Sequence, residues 1–217
     1  TRPDGSEVKS EDPKEYLYTM PYSTIAKYDV GKRPSTVWPG KEQSPAIKPL
    51  ATELIDSVEN YVKANGLDPM RYNIEIKCRK GKDEGKNWPE YHEFVDKCME
   101  LLLSKNLGDR LVVQCFDARA LNYMHEKYPQ VKLSYLISKK DTDWDTYMGK
   151  LNFTPDWLSP EFVIVDQTMV DNCRKAGIRL VPWTVDNEAD IRRILDLHVE
   201  AIITNYPDRV LKISRGY

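Results

Sequence analysis

From position 50 onward, apolar residues recur in two alternating periods. Leu50, Leu54, Ile55, Val58, Tyr61 and Val62 fall at helical spacing, and Gly66 supplies a stop. Arg71 through Lys77 then alternate as a short strand, followed by a polar loop over 79–87 that contains two glycines. Phe94, Val95, Cys98, Met99, Leu101 and Leu102 restore the helical period. The same alternation predicts further strands over 111–116, 131–137, 157–160, 179–185 and 201–204. Between them it predicts helices over 118–128 and 168–176, a weaker one over 144–150, and one holding Ile191, Ile194 and Leu195. Gly177 ends the helix before it, Asp186 or Asn187 caps the helix after it, and a turn at Tyr206-Pro207 leads into a helical tail.

About six strand–helix units in unbroken alternation call for a parallel sheet with helical crossovers. An open doubly wound sheet and a closed (β/α)₈ TIM barrel both fit that order. No strand is followed by a Gly-x-Gly-x-x-Gly turn, and polar residues stand at the C-terminal ends of the strands, where barrel enzymes carry their chemistry. Both points favour the barrel. A complete barrel has eight units, so residues 50–217 read as units three to eight, and roughly two strands are expected to precede Thr1.

Residues 1–49 read differently. They are rich in Lys, Glu, Pro, Ser and Tyr, and Pro34, Pro39, Pro45 and Pro49 rule out a long helix. One short helix is expected around 22–28, stopped by Asp29-Val30-Gly31. The segment reads as a loop-rich insertion.

Composition narrows the function classes. The chain of 217 residues is 41% hydrophobic and 30% charged with a net charge of -2. That describes a globular chain with a sizeable core, without the basic excess that a nucleic-acid or anionic-membrane partner calls for. No apolar run approaches the ~20 residues needed to span a bilayer, so stable membrane insertion is not expected. Cys78, Cys98, Cys115 and Cys173 contain no Cys-x-x-Cys pair and read as packed free thiols. The chain opens on Thr1-Arg2-Pro3-Asp4-Gly5, which reads as a start within a longer protein and leaves compartment and oligomeric state open.

Strand periodicity puts Glu75 and Lys77 on one side and Ile74 and Ile76 on the other. In a barrel the isoleucines face the helices, and the charged pair points inward at the catalytic end. A carboxylate there needs a partner or a cation, and a self-neutralising Glu–Lys pair meets that need as well as a catalytic role does. Gln114 and Phe116 share the inward side of the next strand, as a pocket wall or as core. Trp183, near the end of the 179–185 strand, suits either a substrate platform or the core. His92, His125 and His198 have neither metal spacing nor a partner carboxylate placed for general-base work. No Gly-x-Ser-x-Gly elbow or phosphate-binding Gly-rich loop is present.

These motifs, in this order, resemble the glycerophosphodiester phosphodiesterase family. Asn73-Ile74-Glu75-Ile76-Lys77 is similar to its third-strand motif, Val113-Gln114-Cys115-Phe116 to its Gln-Ser-Phe strand, and Val181-Pro182-Trp183-Thr184-Val185-Asp186 to its Trp-Thr-Val-Asn strand. Ile202-Ile203-Thr204-Asn205-Tyr206-Pro207-Asp208 is similar to its closing Ile-Thr-Asp-x-Pro. Leu17 through Gly31, and Lys48-Pro49-Leu50 before Glu53-Leu54, resemble the loop leading into its Pro-Thr-Leu-Glu-Glu.

The resemblance implies metal-dependent hydrolysis of a small glycerophosphodiester to glycerol 3-phosphate and an alcohol. It implies Glu75 as a ligand to Mg²⁺ or Ca²⁺, Lys77 as a phosphate contact, and Gln114, Phe116 and Trp183 lining the substrate. The family's His-Arg-Gly, Glu-x-Asp and His-Asp, which supply the acid/base histidines and two metal carboxylates, do not occur here and are expected upstream. Cys115 stands for the family's serine, Asp186 for its asparagine and Asn205 for its aspartate. A non-catalytic binding or scaffold derivative, and a related phosphodiesterase acting on phosphoinositides or sphingolipids, remain open alternatives.

Overall fold

In the computed structural model, five strands pair side by side in the order in which the chain makes them. They are β1 (Tyr72–Glu75), β2 (Leu111–Cys115), β3 (Lys132–Ile137), β4 (Trp157–Pro160) and β5 (Arg179–Leu180), each parallel to its neighbours. A doubly wound sheet reverses its strand order at a switch point. Strict sequential order with right-handed crossovers instead sends every connecting helix to one face, the winding of a barrel.

All residues except 10, 35–39, 79, 82, 83, 216 and 217 are described. Pro39 and, in the polar loop, Arg79, Lys82 and Asp83 therefore lie outside the described residues. The chain forms two compact units: Thr1–Met70 with Arg79–Glu93, and Arg71–Cys78 with Phe94–Tyr217.

In the second unit the crossovers are α3 (Tyr91–Ser104, from Phe94 on), α4 (Ala118–Lys127), α5 (Trp144–Met148) and α6 (Gln167–Ala176), with α7 (Glu188–Asp196) and α8 (Pro207–Ser214) after β5. Four of these helices start on a side chain that accepts a backbone N–H: Asp117 from Arg119, Asp143 from Thr146, Asp166 from Met169 and Asn187 from Asp190. Each cap satisfies a donor that the first helical turn leaves open. Gly177 ends α6 in the left-handed region at φ 70°, a conformation that glycine adopts without cost.

The helix-facing side of the sheet is the core. Val113, Cys115, Leu133, Ile137 and Leu158 are buried there, beneath Met99 and Leu102 of α3, Leu121 and Met124 of α4 and Val170 of α6.

Two expected strands differ from the structure. Only Arg179–Leu180 of the 179–185 stretch forms a ladder, and 201–204 forms no strand. The backbone there is nonetheless bonded in parallel fashion. Val181 N–H donates to Leu158 O at 2.9 Å, Ile203 N–H to Pro182 O at 2.9 Å and Val185 N–H to Ile203 O at 2.9 Å. Pro160 has no N–H to return to Val181 and Pro182 none to return to the 201–204 segment, so the ladder is interrupted on both sides where the sequence pattern still alternates. The peptide bond between Trp183 and Thr184 is cis.

Among its described residues, the first unit contains a 3-10 turn (Leu17–Thr19), the short α1 (Tyr22–Ile25) and α2 (Ala51–Ala64). Polar contacts organise its loops. Arg2 bridges Asp12 at 2.8 Å and Glu15 at 2.9 Å, and Asp29 accepts the N–H groups of Gly31 and Lys32. A side chain at Gly31 would run into the Ser44 carbonyl, which is why this turn takes glycine. No helix among the described residues is long and apolar enough to cross a membrane.

Candidate active site

The inward face of the sheet is polar where its outward face is apolar. Register places Asn73 beside Val112, and Glu75 beside Gln114, which pairs in turn with Ser134. Asn73 Nδ2 donates to Gln114 Oε1 at 3.1 Å, and the hydroxyls of Ser134 and Ser159 share a hydrogen bond at 2.8 Å. Gln114 is buried, so this amide pairing fixes its orientation in a place where an unsatisfied amide is costly. Neither Asn73 nor the serine pair stands out in the sequence, because both depend on register between distant segments.

At the C-terminal edge, the Lys77 ammonium lies 3.2 Å from the Glu75 carboxylate. The Lys77 side chain is 70% exposed and that of Glu75 23% exposed. The pair exists, but the ammonium sits mostly in water, where such an ion pair adds little stability and leaves the cation able to turn to another anion.

Phe116 is 45% exposed, which removes it from the core. Its ring meets Trp183 edge-to-face, with centroids 5.6 Å apart and planes at 86°. The Trp183 indole N–H donates to the Ser159 carbonyl at 2.8 Å, and Phe162 N–H donates to the Trp183 carbonyl at 2.7 Å. Both aromatic residues therefore form a half-open wall fixed by the backbone of β4 and its continuation.

Glu161, immediately after β4 and bridged to Trp183, also belongs to this edge. Its carboxylate accepts the Lys139 N–H at 2.8 Å. The only sequence cue for it is a charged residue directly following a strand.

Asp186 accepts from Thr204 Oγ1 at 3.1 Å, from Asn205 N–H at 2.8 Å and from Asn205 Nδ2 at 2.9 Å. Thus the two positions where this chain exchanges amide and carboxylate relative to the family pattern bond to each other. Burial raises the Asp186 carboxyl, but the Asn205 and Thr204 bonds and the Arg209 charge outweigh it and hold the group below its ordinary value.

No histidine joins this edge in the described contacts. His125 stacks on Phe153 at 4.1 Å, His92 contacts Glu90 at 3.0 Å, and His198 follows α7 ahead of 201–204. Among the described residues, no group of three His, Cys, Asp or Glu side chains could hold a metal ion. Glu75 faces a lysine, so these residues by themselves do not fit a divalent cation.

At the other end of the sheet, a half-open cavity of about 160 Å³ lies among Asn73, Lys132, Ser134, Trp157, Arg179 and Val181. The Arg179 guanidinium lies 5.1 Å from the Trp157 ring centroid, and Lys132 pairs with Asp109 at 2.8 Å. The Trp157 indole N–H is the buried side-chain polar group without a partner among the described residues. We place the candidate site at the C-terminal edge despite the cavity, because chain direction there converges loops, an exposed cation and an aromatic wall.

The chain matches the model of the glycerophosphoryl diester phosphodiesterase family over residues 6–209. It is 30% identical over 120 residues to the glycerophosphodiester phosphodiesterase of Bacillus subtilis (strain 168), covering 54% of this chain and 41% of that protein. It is 24% identical over 126 residues to the glycerophosphodiester phosphodiesterase of Caldanaerobacter subterraneus, covering 58% of this chain and 51% of that one. The chain thus spans about half the length of the curated relatives it matches. Among solved structures, one from Silicibacter pomeroyi carrying the same family name superposes with a TM-score of 0.79 at 21% identity, over 98% of this chain and 73% of that one. An Oleispira antarctica phosphodiesterase in complex with the product sn-glycerol-3-phosphate gives 0.71 at 21% identity, over 92% and 72%. The scaffold is that of the (β/α)₈ barrel, of which these residues supply five paired strands, and the chain belongs to the glycerophosphoryl diester phosphodiesterase family.

Proposed function

We propose that the protein carrying this chain hydrolyses glycerophosphodiesters to glycerol 3-phosphate and an alcohol, with Mg²⁺ or Ca²⁺ as a required cation. The observation that supports this reading is the Lys77–Glu75 pair at the end of β1 with Glu75 beside Gln114, together with the Phe116–Trp183 contact beyond β2 and β5, in a chain matched to the family over residues 6–209.

In this reading Lys77 turns its exposed ammonium from Glu75 to a phosphoryl oxygen and offsets the charge that grows there. With Lys77 turned away, Glu75 would give one oxygen ligand to the cation; the described residues alone do not complete its coordination. Gln114, held by Asn73, presents a fixed polar surface, and the Phe116–Trp183 corner packs against the apolar edge of the glycerol or the leaving alcohol. The ligand is a small molecule, in keeping with a net charge of -2 that offers no nucleic-acid footprint.

The test is an assay of the protein carrying this chain on glycerophosphocholine and glycerophosphoethanolamine, with Mg²⁺ or Ca²⁺ and with a chelator. Release of glycerol 3-phosphate that the chelator stops is the expected result. No release under any condition overturns the activity, and release that survives complete chelation overturns the metal requirement.

A further inference from the structure

We propose that Cys78 and Cys115 are a modification site, forming a reversible disulfide across the C-terminal ends of β1 and β2. The sequence reads the four cysteines as packed thiols, but the fold brings two of them together. Pairing of β1 with β2 runs through Glu75 and Gln114 and continues one residue further, with Ile76 N–H donating to Gln114 O at 2.9 Å. The chain then bends, and Cys78 N–H closes onto Ile76 O at 3.0 Å. This turn brings Cys78 alongside Cys115, because the Cys78 N–H and the Cys115 Sγ both bond to the Ile76 carbonyl at 3.0 Å.

The surroundings of the two sulfurs differ. Cys115 Sγ is buried, donates to Ile76 O at 3.0 Å and receives the Asp117 N–H at 3.3 Å, directly ahead of α4. Its bond from Cys78, aided by backbone N–H donors from Asp117 and Cys78, lowers its thiol below the ordinary cysteine value against the opposing effect of burial. Cys78 is half-buried, so a small oxidant reaches it first. Cys98 and Cys173 lack such a partner bond, and burial pushes their thiols up to about 11 and about 12.

With hydrogen peroxide as oxidant the chemistry balances. The Cys78 sulfur attacks one peroxide oxygen: an S–O bond forms, the O–O bond breaks, and the departing oxygen takes up, through solvent, the proton that the Cys78 thiol gives up and leaves as water. The Cys115 sulfur then loses its own proton and attacks the Cys78 sulfur; the S–S bond forms, the S–O bond breaks, and the sulfenic hydroxyl takes that proton and leaves as a second water. Two thiols are oxidised and one peroxide is reduced.

The bond would join the residue after Lys77 to the residue before Phe116, so it would fix the spacing between the cation and the aromatic wall. That this controls hydrolysis rests on the function proposed above; the disulfide itself does not.

The test treats the whole protein with hydrogen peroxide, alkylates it under denaturing conditions, and maps the peptides without reduction. We expect a linked Cys78–Cys115 peptide pair, the loss of these two alkylatable thiols only, and their return with dithiothreitol. A Cys78→Ser variant should leave Cys115 unlinked, and the wild-type map stands without that variant if it folds poorly. Both thiols remaining alkylatable, or Cys78 ending as a sulfinic acid with no linked peptide, overturns the proposal. Activity measured on the same samples should fall with linkage and recover with dithiothreitol. Unchanged activity in fully linked protein overturns the control of the site, while absent activity in the reduced protein overturns the proposed hydrolysis instead.

Discussion

Along β2, β3 and β4 one face carries Val113, Leu133 and Leu158 and the other Gln114, Ser134 and Ser159, yet all six are buried. The outward trio is covered by helices, and its free energy is that of apolar area removed from water. The inward trio is stabilised only where its polar atoms find one another: Ser134 with Ser159, and Gln114 with Asn73. Net gain from such bonds is modest, but breaking one side of a pair leaves a buried group unsatisfied. Stability is therefore concentrated on the helix side of the sheet, and mutually dependent hydrogen bonds on the other.

Truncation on the two faces separates these contributions. Leu158→Ala should lower unfolding free energy by about 2–5 kcal/mol, read as a shifted urea midpoint, because Leu158 is fully buried against the helices. Ser134→Ala should cost roughly 1–3 kcal/mol by stranding the Ser159 hydroxyl. The double variant with Ser159→Ala should recover part of that loss. Additive losses would mean that the two hydroxyls do not depend on each other.

Asp186 extends the comparison to the far edge of the sheet. Its carboxyl titrates below its unfolded value, so its contribution to stability is present above the ordinary carboxylate range. That contribution is lost as pH falls through the depressed folded value. Asp186→Asn should flatten the acid limb of a stability–pH curve by lowering stability in the neutral region, where the ionised carboxylate contributes, while the acid end changes least; an unaltered acid limb would contradict the role given to the Thr204 and Asn205 bonds.

Smaller effects belong to the exposed edge. The Phe116–Trp183 contact should show a coupling of about 0.5–1.5 kcal/mol in a double-alanine cycle of urea unfolding. Lys77→Ala should change stability by no more than about 1 kcal/mol, since its ion pair is largely in water.

The outward face was legible from sequence because a buried strand between helices imposes a period, and β1 to β4 follow it. The region after Leu180 was less legible. Val181, Trp183 and Val185 keep the alternation, but Pro160 on the neighbouring strand and Pro182 within the segment each withhold a donor, and the ladder stops. On the inward side, residue types at strand ends pointed to Glu75, Lys77, Gln114, Phe116 and Trp183, while their partners stayed hidden. Asn73 with Gln114, Asp186 with Asn205, and Cys78 with Cys115 are set by register and turns between segments distant in sequence, which no local pattern encodes. Exposure was hidden for the same reason: Phe116 reads equally as core until the chain around it is placed.

The most direct test of the division between the two faces is the hydrolysis rate of Lys77→Ala against wild type, measured on glycerophosphocholine with divalent cation at matched folded fraction. The account predicts a fall of about 10²-fold in rate with the urea midpoint nearly unmoved. An undiminished rate in the folded variant would contradict it.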